Sequence, residues 1–279
     1  MEKKKHEETK QEKVEGQVID AAEAIIPAEM KEAAKEAEIK VEVAEKDEAF
    51  EGAWVPRTEL GKQVLQGKIP SIDYLFEEGI KITEPGIVDM LVPGLSNEVI
   101  LIGGSTGKGG GKRRTPSKRT SRMHKSGRRY RISVMAIIGN SNGYVGFGTA
   151  HGPPGRHREV VEKALAKAKL NLIPVRRGCG SWQCKCGTPH TTPFEVEGKI
   201  GSVHITLMPA PKGTGLVVMD EVKKVMRLAG IKDIWAKSRG QTSSRENLIK
   251  AVFDAFNKIN KFRTQPEYEH AVGMKTGRV

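Results

Sequence analysis

Aromatic residues are scarce in this chain: three Trp, four Tyr and seven Phe among 279 residues. Capture of nucleic acid by stacking many bases on aromatic platforms would call for more of them. Cysteine is scarcer still, and the three present fall together at Cys179, Cys184 and Cys186. An odd, clustered set is not a secreted disulfide framework. No apolar run approaches the length needed to cross a bilayer, and the N-terminus is charged where a signal peptide would be apolar. These absences point to a cytoplasmic protein with no membrane partner. No Ser-His-Asp set and no paired carboxylates stand out, so no enzymatic activity and no small-molecule substrate are expected.

What is abundant is positive charge. Lys plus Arg is 47 and Asp plus Glu is 34, a net of +13. The sum conceals a division: residues 1–51 carry nine basic and sixteen acidic side chains, a net of −7, which leaves +20 on the remainder. A body this basic favours a polyanionic partner. With few aromatics, contacts to phosphate and ribose through Lys, Arg and backbone amides fit best. The charge peaks in residues 103–131, which hold Lys108, Lys112, Arg113, Arg114, Lys118, Arg119, Arg122, Lys125, Arg128, Arg129 and Arg131 and no Asp or Glu. Such a stretch cannot bury enough surface to fold alone, so it reads as a long basic loop, mobile in isolation. It runs directly into a strand-like segment, Arg131 to Ile138, so its charge is mounted on an ordered element.

The rest of the chain divides as follows. Residues 1–53, rich in Glu, Lys and Ala, read as an acidic, disordered or loosely helical extension. Leu60, Val64, Leu65, Ile72, Leu75 and Phe76 give residues 54–79 a helical apolar face that breaks near Gly67 to Pro70. Residues 84–96 read as turns, and residues 97–102 as a strand. Residues 130–138 and 144–148 read as a β-hairpin around a Gly-Asn-Ser-Asn-Gly turn, followed by a helix over 156–170. An antiparallel sheet with helices on one face is the economical packing for this first half, residues 54–175. The second half, 176–262, alternates strands and helices and reads as a separate α/β domain. In it Asp220 is placed to cap a helix that Gly230 ends, and Ser243 with Glu246 has capping-box spacing. Leu248, Val252, Phe253, Phe256 and Ile259 form the inward side of a final helix. Residues 263–279 read as a tail.

Two motifs bear on chemistry. Residues 103–109 resemble a phosphate loop, but Ile102 stands where the first Gly belongs and Gly109 where the metal-binding hydroxyl belongs. The match fails at both positions, which argues against nucleotide hydrolysis. Cys179, Cys184, Cys186 and His190 lie within twelve residues and could make a Cys3His tetrahedron for zinc, although the spacing is not that of paired Cys-x-x-Cys knuckles. Free cytosolic thiols are the plainer alternative. His124, His151 and His157 read as surface loop residues and His204 as strand filler. Arg176, Arg177, Lys212, Lys237 and Arg239 sit in small basic loops where cations and backbone amides can meet phosphate.

At this point the residues resemble a known family. Ser126 to Arg131, the Gly139–Gly148 hairpin and the helix after it are similar to the first domain of the universal small-subunit ribosomal protein family five. Ile200 to Gly215 and Leu228 to Ile234 are similar to its second domain. Cys179 to Gly187 with Pro189 and His190 resembles the archaeal form. The resemblance covers roughly residues 54–262. It implies an α+β fold, with a double-stranded-RNA-binding-like domain of antiparallel sheet plus helices, then an α/β domain of the ribosomal-five second-domain type. It also implies binding to small-subunit rRNA near the decoding region and mRNA entry. Further implications are contact with small-subunit ribosomal proteins four and eight, and support of assembly and translational accuracy. The family's rRNA-reaching loop falls on Gly127, Arg128 and Arg129. Two departures are notable: residues 103–122 are longer and more basic than the family pattern, and the acidic extension is unusual. A free-standing double-stranded-RNA-binding or assembly factor is the alternative.

Overall fold

One strand, β5 (Gly127–Gly139), runs from solvent into the centre of the molecule, and the first half of the fold is assembled on it. Its first five residues are exposed and its last eight are buried. The computed structural model describes residues 54–106, 112–184 and 186–277. The acidic extension, the segment around Lys108 and the last two residues lie outside the described residues.

Along one edge of β5 run two strands end to end. β1 (Ser96–Val99) pairs with Ala136 to Gly139, and β4 (Ser117–His124) pairs with Gly127 to Val134. On the other edge lies β6 (Tyr144–Gly152), which pairs onward with β7 (Leu172–Pro174). All four pairings are antiparallel. The hairpin expected around residues 139–143 is present, and the turn takes Ser141 to φ +56° and Gly143 to φ +112°. Asn140 Oδ1 accepts from the amides of Asn142 and Tyr144 at 2.9 and 3.0 Å, which locks the turn from within.

Continuous burial over Ile132 to Ile138 means that β5 is covered on both faces. Ile132, Val134 and Ala136 meet helix α4 (His157–Leu170) through Val160 and Ala164. Met135 and Ile137 face the opposite way and join the cluster that contains the second half's Leu228, Phe253 and Phe256. The first half's α4 therefore covers one face of this sheet, and the second half supplies the cover on the other. Glycine sets the approach on the α4 side: a Cβ on Gly148 would stand 2.1 Å from Ala164 O.

Before the sheet come α1 (Glu59–Leu65), α2 (Ile72–Glu77) and α3 (Pro85–Leu91). The break between α1 and α2 is where Gly67 and Pro70 predict it. The stretch expected as turns is helix α3, which Pro85 opens at a first-turn position and whose Ile87 and Val88 are fully buried.

The second sheet has the order β10 (Leu216–Val217), β11 (Ile234–Arg239), β9 (Val203–Pro209), β8 (Val196–Ile200), with only β10–β11 parallel. Helix α6 (Arg245–Lys261) packs on it with Leu248, Val252, Phe253, Phe256 and Ile259 buried, as the spacing predicts. Helix α5 (Asp220–Ala229) ends at Gly230, which takes φ +79°. Its start differs from expectation: Asp220 is the first helical residue and makes no side-chain cap, and its carboxylate bonds Lys223 Nζ at 3.0 Å instead. The Ser243–Glu246 capping box also does not form, because Glu246 pairs one turn on with Lys250 Nζ at 2.8 Å and Gln241 takes the Ser243 hydroxyl.

The two halves are tied by a buried ionic hub. Glu221 is 3% exposed; its carboxylate meets Arg245 at 2.5 Å and accepts from the Leu101 amide at 3.2 Å. Arg245 also donates to Leu101 O at 3.1 Å. Residues 263–277 are not a tail. Helix α7 (Pro266–Val272) buries Val272, Cys179 N donates to Val272 O at 2.8 Å, and Arg177 and Lys275 exchange backbone bonds of 2.9 and 2.8 Å.

Candidate nucleic-acid interface

The basic stretch expected as a loop is strand over most of its described length. β2 (Gly103–Thr106) pairs with β3 (Lys112–Thr115), and β4 pairs with the protruding end of β5 from His124–Gly127 to Ser117–Val134. Few of these residues favour a strand on their own. The pairing edge of β5 imposes it, since strand propensity is largely a matter of neighbours. The ribbon closes on two residues, Lys125 and Ser126, and Gly127 carries φ +111°. A Cβ at Gly127 would meet nothing within 4 Å, so the requirement is the backbone angle and not space.

Directly opposed residues share a face. One face carries Lys118, Thr120, Arg122, Arg129 and Arg131, and it continues through Ser133 to His151 on β6. A groove there is lined by Arg122, Arg129, Arg131 and His151. Ser133 Oγ and His151 Nδ1 lie 2.7 Å apart. Partial burial first, and the Arg131 charge second, push the His151 imidazole below its ordinary value. The other face carries Arg119, Arg128 and Tyr130, with the Arg119 guanidinium 3.7 Å from the centre of the Tyr130 ring. Arg122 and Arg129 are direct cross-strand partners, an arrangement that repels unless anions intervene. None of the ribbon's arginines forms an ion pair with another described residue.

The ribbon thus brings together Lys118, Arg119, Arg122, Lys125, Gly127, Arg128, Arg129 and Arg131, all exposed save for the intermediate start of the strand at Ser117. Arg113 and Arg114 are exposed on β3, the strand that Lys112 opens. The remaining expected contacts belong to other elements. Lys212 is exposed in the turn before β10. Lys237 and Arg239 are exposed on β11, opposite Thr206 and His204. Arg176 donates to Phe262 O at 2.7 Å. Arg177 is a correction: it is 4% exposed, and its guanidinium donates to Asn142 O at 2.9 Å and to Gly230 O and Gly277 O at 3.4 Å. A cation walled in by carbonyls acts as an internal clamp and is out of reach of external phosphate. Two features escaped the sequence reading. Tyr130 is a cation platform inside the basic run, visible in principle from its alternation with Arg128. Trp182 is 82% exposed at the tip of the cysteine loop, and no local pattern announces it.

The cysteine loop does gather. The ligand atoms of Cys179, Cys184, Cys186 and His190 all lie within 4.8 Å of one another. The Thr188 hydroxyl, 3.0 Å from Cys186 Sγ, leads the contacts that bring that thiol down to about 6, whereas burial raises Cys179.

Architecture and site together define an α+β protein with a protruding arginine ribbon. Within that class the chain matches the description "Ribosomal protein S5, N-terminal domain" over residues 116–176 and "Ribosomal protein S5, C-terminal domain" over residues 198–268. It is 43% identical over 239 residues to the small ribosomal subunit protein uS5 of Methanococcus maripaludis strain C6, covering 85% of this chain and 96% of that protein. It is 46% identical over 220 residues to uS5 of Thermofilum pendens, covering 78% and 99%. The corresponding protein of Ignicoccus hospitalis is 47% identical over 209 residues, covering 75% and 91%. The chain belongs to the ribosomal protein S5 family, a family of structural, non-enzymatic proteins. The resemblance drawn from the hairpin and from residues 200–215 is thereby borne out.

Proposed function

We propose that this chain is a structural constituent of the small subunit of the cytoplasmic ribosome and that it grips small-subunit rRNA with the β4–β5 ribbon. The observation that carries the reading is the cross-strand set of exposed arginines, unneutralised by any described carboxylate and fixed to a buried strand. Folded rRNA offers the dense phosphate that such a set needs, and release of its counterions drives association. Residues 54–175 then form the rRNA-gripping half and residues 176–262 the half that presents Lys212, Lys237 and Arg239. Family membership supports the finer placement near the decoding region and mRNA entry, contact with small-subunit proteins four and eight, and a role in assembly and accuracy.

The experiment is a sucrose gradient of a lysate from cells that make the protein, run with magnesium at moderately high salt. Co-migration with small subunits, lost on RNase treatment or magnesium removal, is the expected result. Migration at the top of the gradient, together with binding to arbitrary duplex RNA, would replace this reading with that of a free RNA-binding factor.

A further inference from the structure

Among the described residues one buried polar atom stands at the cysteine cluster without a partner. His190 is 5% exposed, and its Nε2 makes no hydrogen bond. Its other ring nitrogen, Nδ1, lies 2.9 Å from Asp233 Oδ2. Asp233 is itself 5% exposed and held in place: its Oδ1 accepts from the amides of Gly213 at 3.0 Å and Gly215 at 2.8 Å. A carboxylate so anchored accepts a proton-bearing Nδ1 and leaves the Nε2 lone pair free. A buried acceptor left unpaired is destabilising, so the arrangement makes sense when something is bound there. The ring belongs to a cluster in which one ligand atom of His190 and the three cysteine sulfurs lie within 4.8 Å of one another.

We propose that Cys179, Cys184, Cys186 and His190 bind one zinc ion, with Asp233 as the positioning residue that fixes the imidazole tautomer. Zinc bond lengths of about 2.3 Å to sulfur and 2.0–2.1 Å to nitrogen set tetrahedral ligands about 3.6–3.8 Å apart. The observed gathering within 4.8 Å therefore needs a contraction of about 1 Å. Four protein ligands close the coordination sphere, the mark of a structural site. Each cysteine binds as its thiolate, so the ion displaces whatever protons the thiols still carry, with no change in oxidation state. The carboxylate–histidine–metal arrangement is the usual way a protein orients a ligating imidazole. The ion would also fasten three parts of the chain. Cys179 is bonded to α7 through Val272, His190 O accepts from the amides of Lys232 and Asp233 at 2.9 and 3.1 Å, and the loop between them carries Trp182.

The test starts from the full chain, expressed with zinc in the medium and purified without chelator. Elemental analysis should find about one zinc per chain. A strong chelator should remove it with a fall in melting temperature, and zinc but not magnesium should restore the loss. Cobalt added to the stripped chain should give the visible bands of a tetrahedral site and sulfur-to-metal charge transfer. Cys186→Ser, at the exposed thiol, should lower zinc retention. Asp233→Asn turns an N–H toward His190 Nδ1 and should weaken zinc about 10–100-fold in competition with a coloured chelator. A merely structural aspartate would change the melting temperature and leave that competition unmoved. Less than about a tenth of an equivalent of zinc with three freely titrating thiols would overturn the proposal, as would a disulfide between two of the cysteines or iron in place of zinc. The stripped and reloaded wild-type chain keeps the test decisive even if a variant fails to fold.

Discussion

Arg122→Ala together with Arg129→Ala should weaken rRNA binding and leave the fold as stable as before, or more so. The two residues are direct cross-strand partners at the exposed end of the ribbon. Like charges in that relation destabilise a sheet by about 0.2–1 kcal/mol, so their removal should shift stability by that amount in the favourable direction. Arg129 does donate to Ser126 Oγ at 3.1 Å, but that bond is exposed and worth little. Binding should move the other way. Each phosphate contact contributes about 0.9 to the slope of log affinity against log salt, so losing two flattens it by about 1.8. Between 50 and 200 mM salt the gap between wild type and variant should then narrow about tenfold. Filter binding of a small-subunit rRNA fragment over a salt series gives the slope, and urea unfolding gives the stability. An unchanged slope would refute the assignment of this face to phosphate. A stability loss above about 1 kcal/mol would show that the arginines hold the ribbon together in a way that cross-strand repulsion forbids.

Glu221→Ala should cost about 3–5 kcal/mol in urea unfolding, because it strands Arg245 and the Leu101 amide at the junction of the halves; a loss below about 1 kcal/mol would make the hub incidental. Deleting residues 263–279 should lower the melting temperature markedly, since it removes the Val272 and Lys275 carbonyls that satisfy Cys179 and Arg177, each buried donor left unpaired costing about 1–3 kcal/mol; an unchanged transition would restore the status of a tail. His151 titrates below its ordinary value in the free chain, so its neutral form is favoured by folding: its contribution is intact at higher pH and is lost as pH falls below the unfolded value of about 6.5. Bound phosphate beside Arg131 should raise it, which a proton NMR titration with and without rRNA, assigned by His151→Gln, would detect as an upward shift.

How much of this was legible in the chain depends on how local the cause is. The Gly-Asn-Ser-Asn-Gly turn, the apolar side of α6 and the stop at Gly230 are written within a few residues of themselves, and each is where the spacing puts it. β4 is not legible, because Ser-Lys-Arg-Thr-Ser-Arg-Met-His has no apolar alternation; it is a strand because β5 offers it an edge. Arg177 looks like any exposed cation until the carbonyls of Asn142, Gly230 and Gly277 close round it from 35 to 100 residues away. The same holds at the cysteine loop. Its four candidate ligands could be picked out by spacing, whereas Asp233, 43 residues on, could not. Residues 263–277 carry too little apolar pattern to predict docking, and their hold is largely backbone bonding.

The strand β5 is an overhanging beam. Between Arg128 and Ile138 it has no Gly or Pro and its registers with β4 and β6 run without a bulge, so nothing along it acts as a joint. At about 3.3–3.4 Å per residue, its five exposed residues project roughly 17 Å beyond the packed region. A flexible loop would surrender about 1–2 kcal/mol for each residue fixed on docking, and this ribbon arrives with that ordering already done. It also keeps its aim. A displacement imposed on the arginines at its end would be passed to Met135 and Ile137, which pack among side chains of α5 and α6, so a partner held at the ribbon would bear on the second sheet as well.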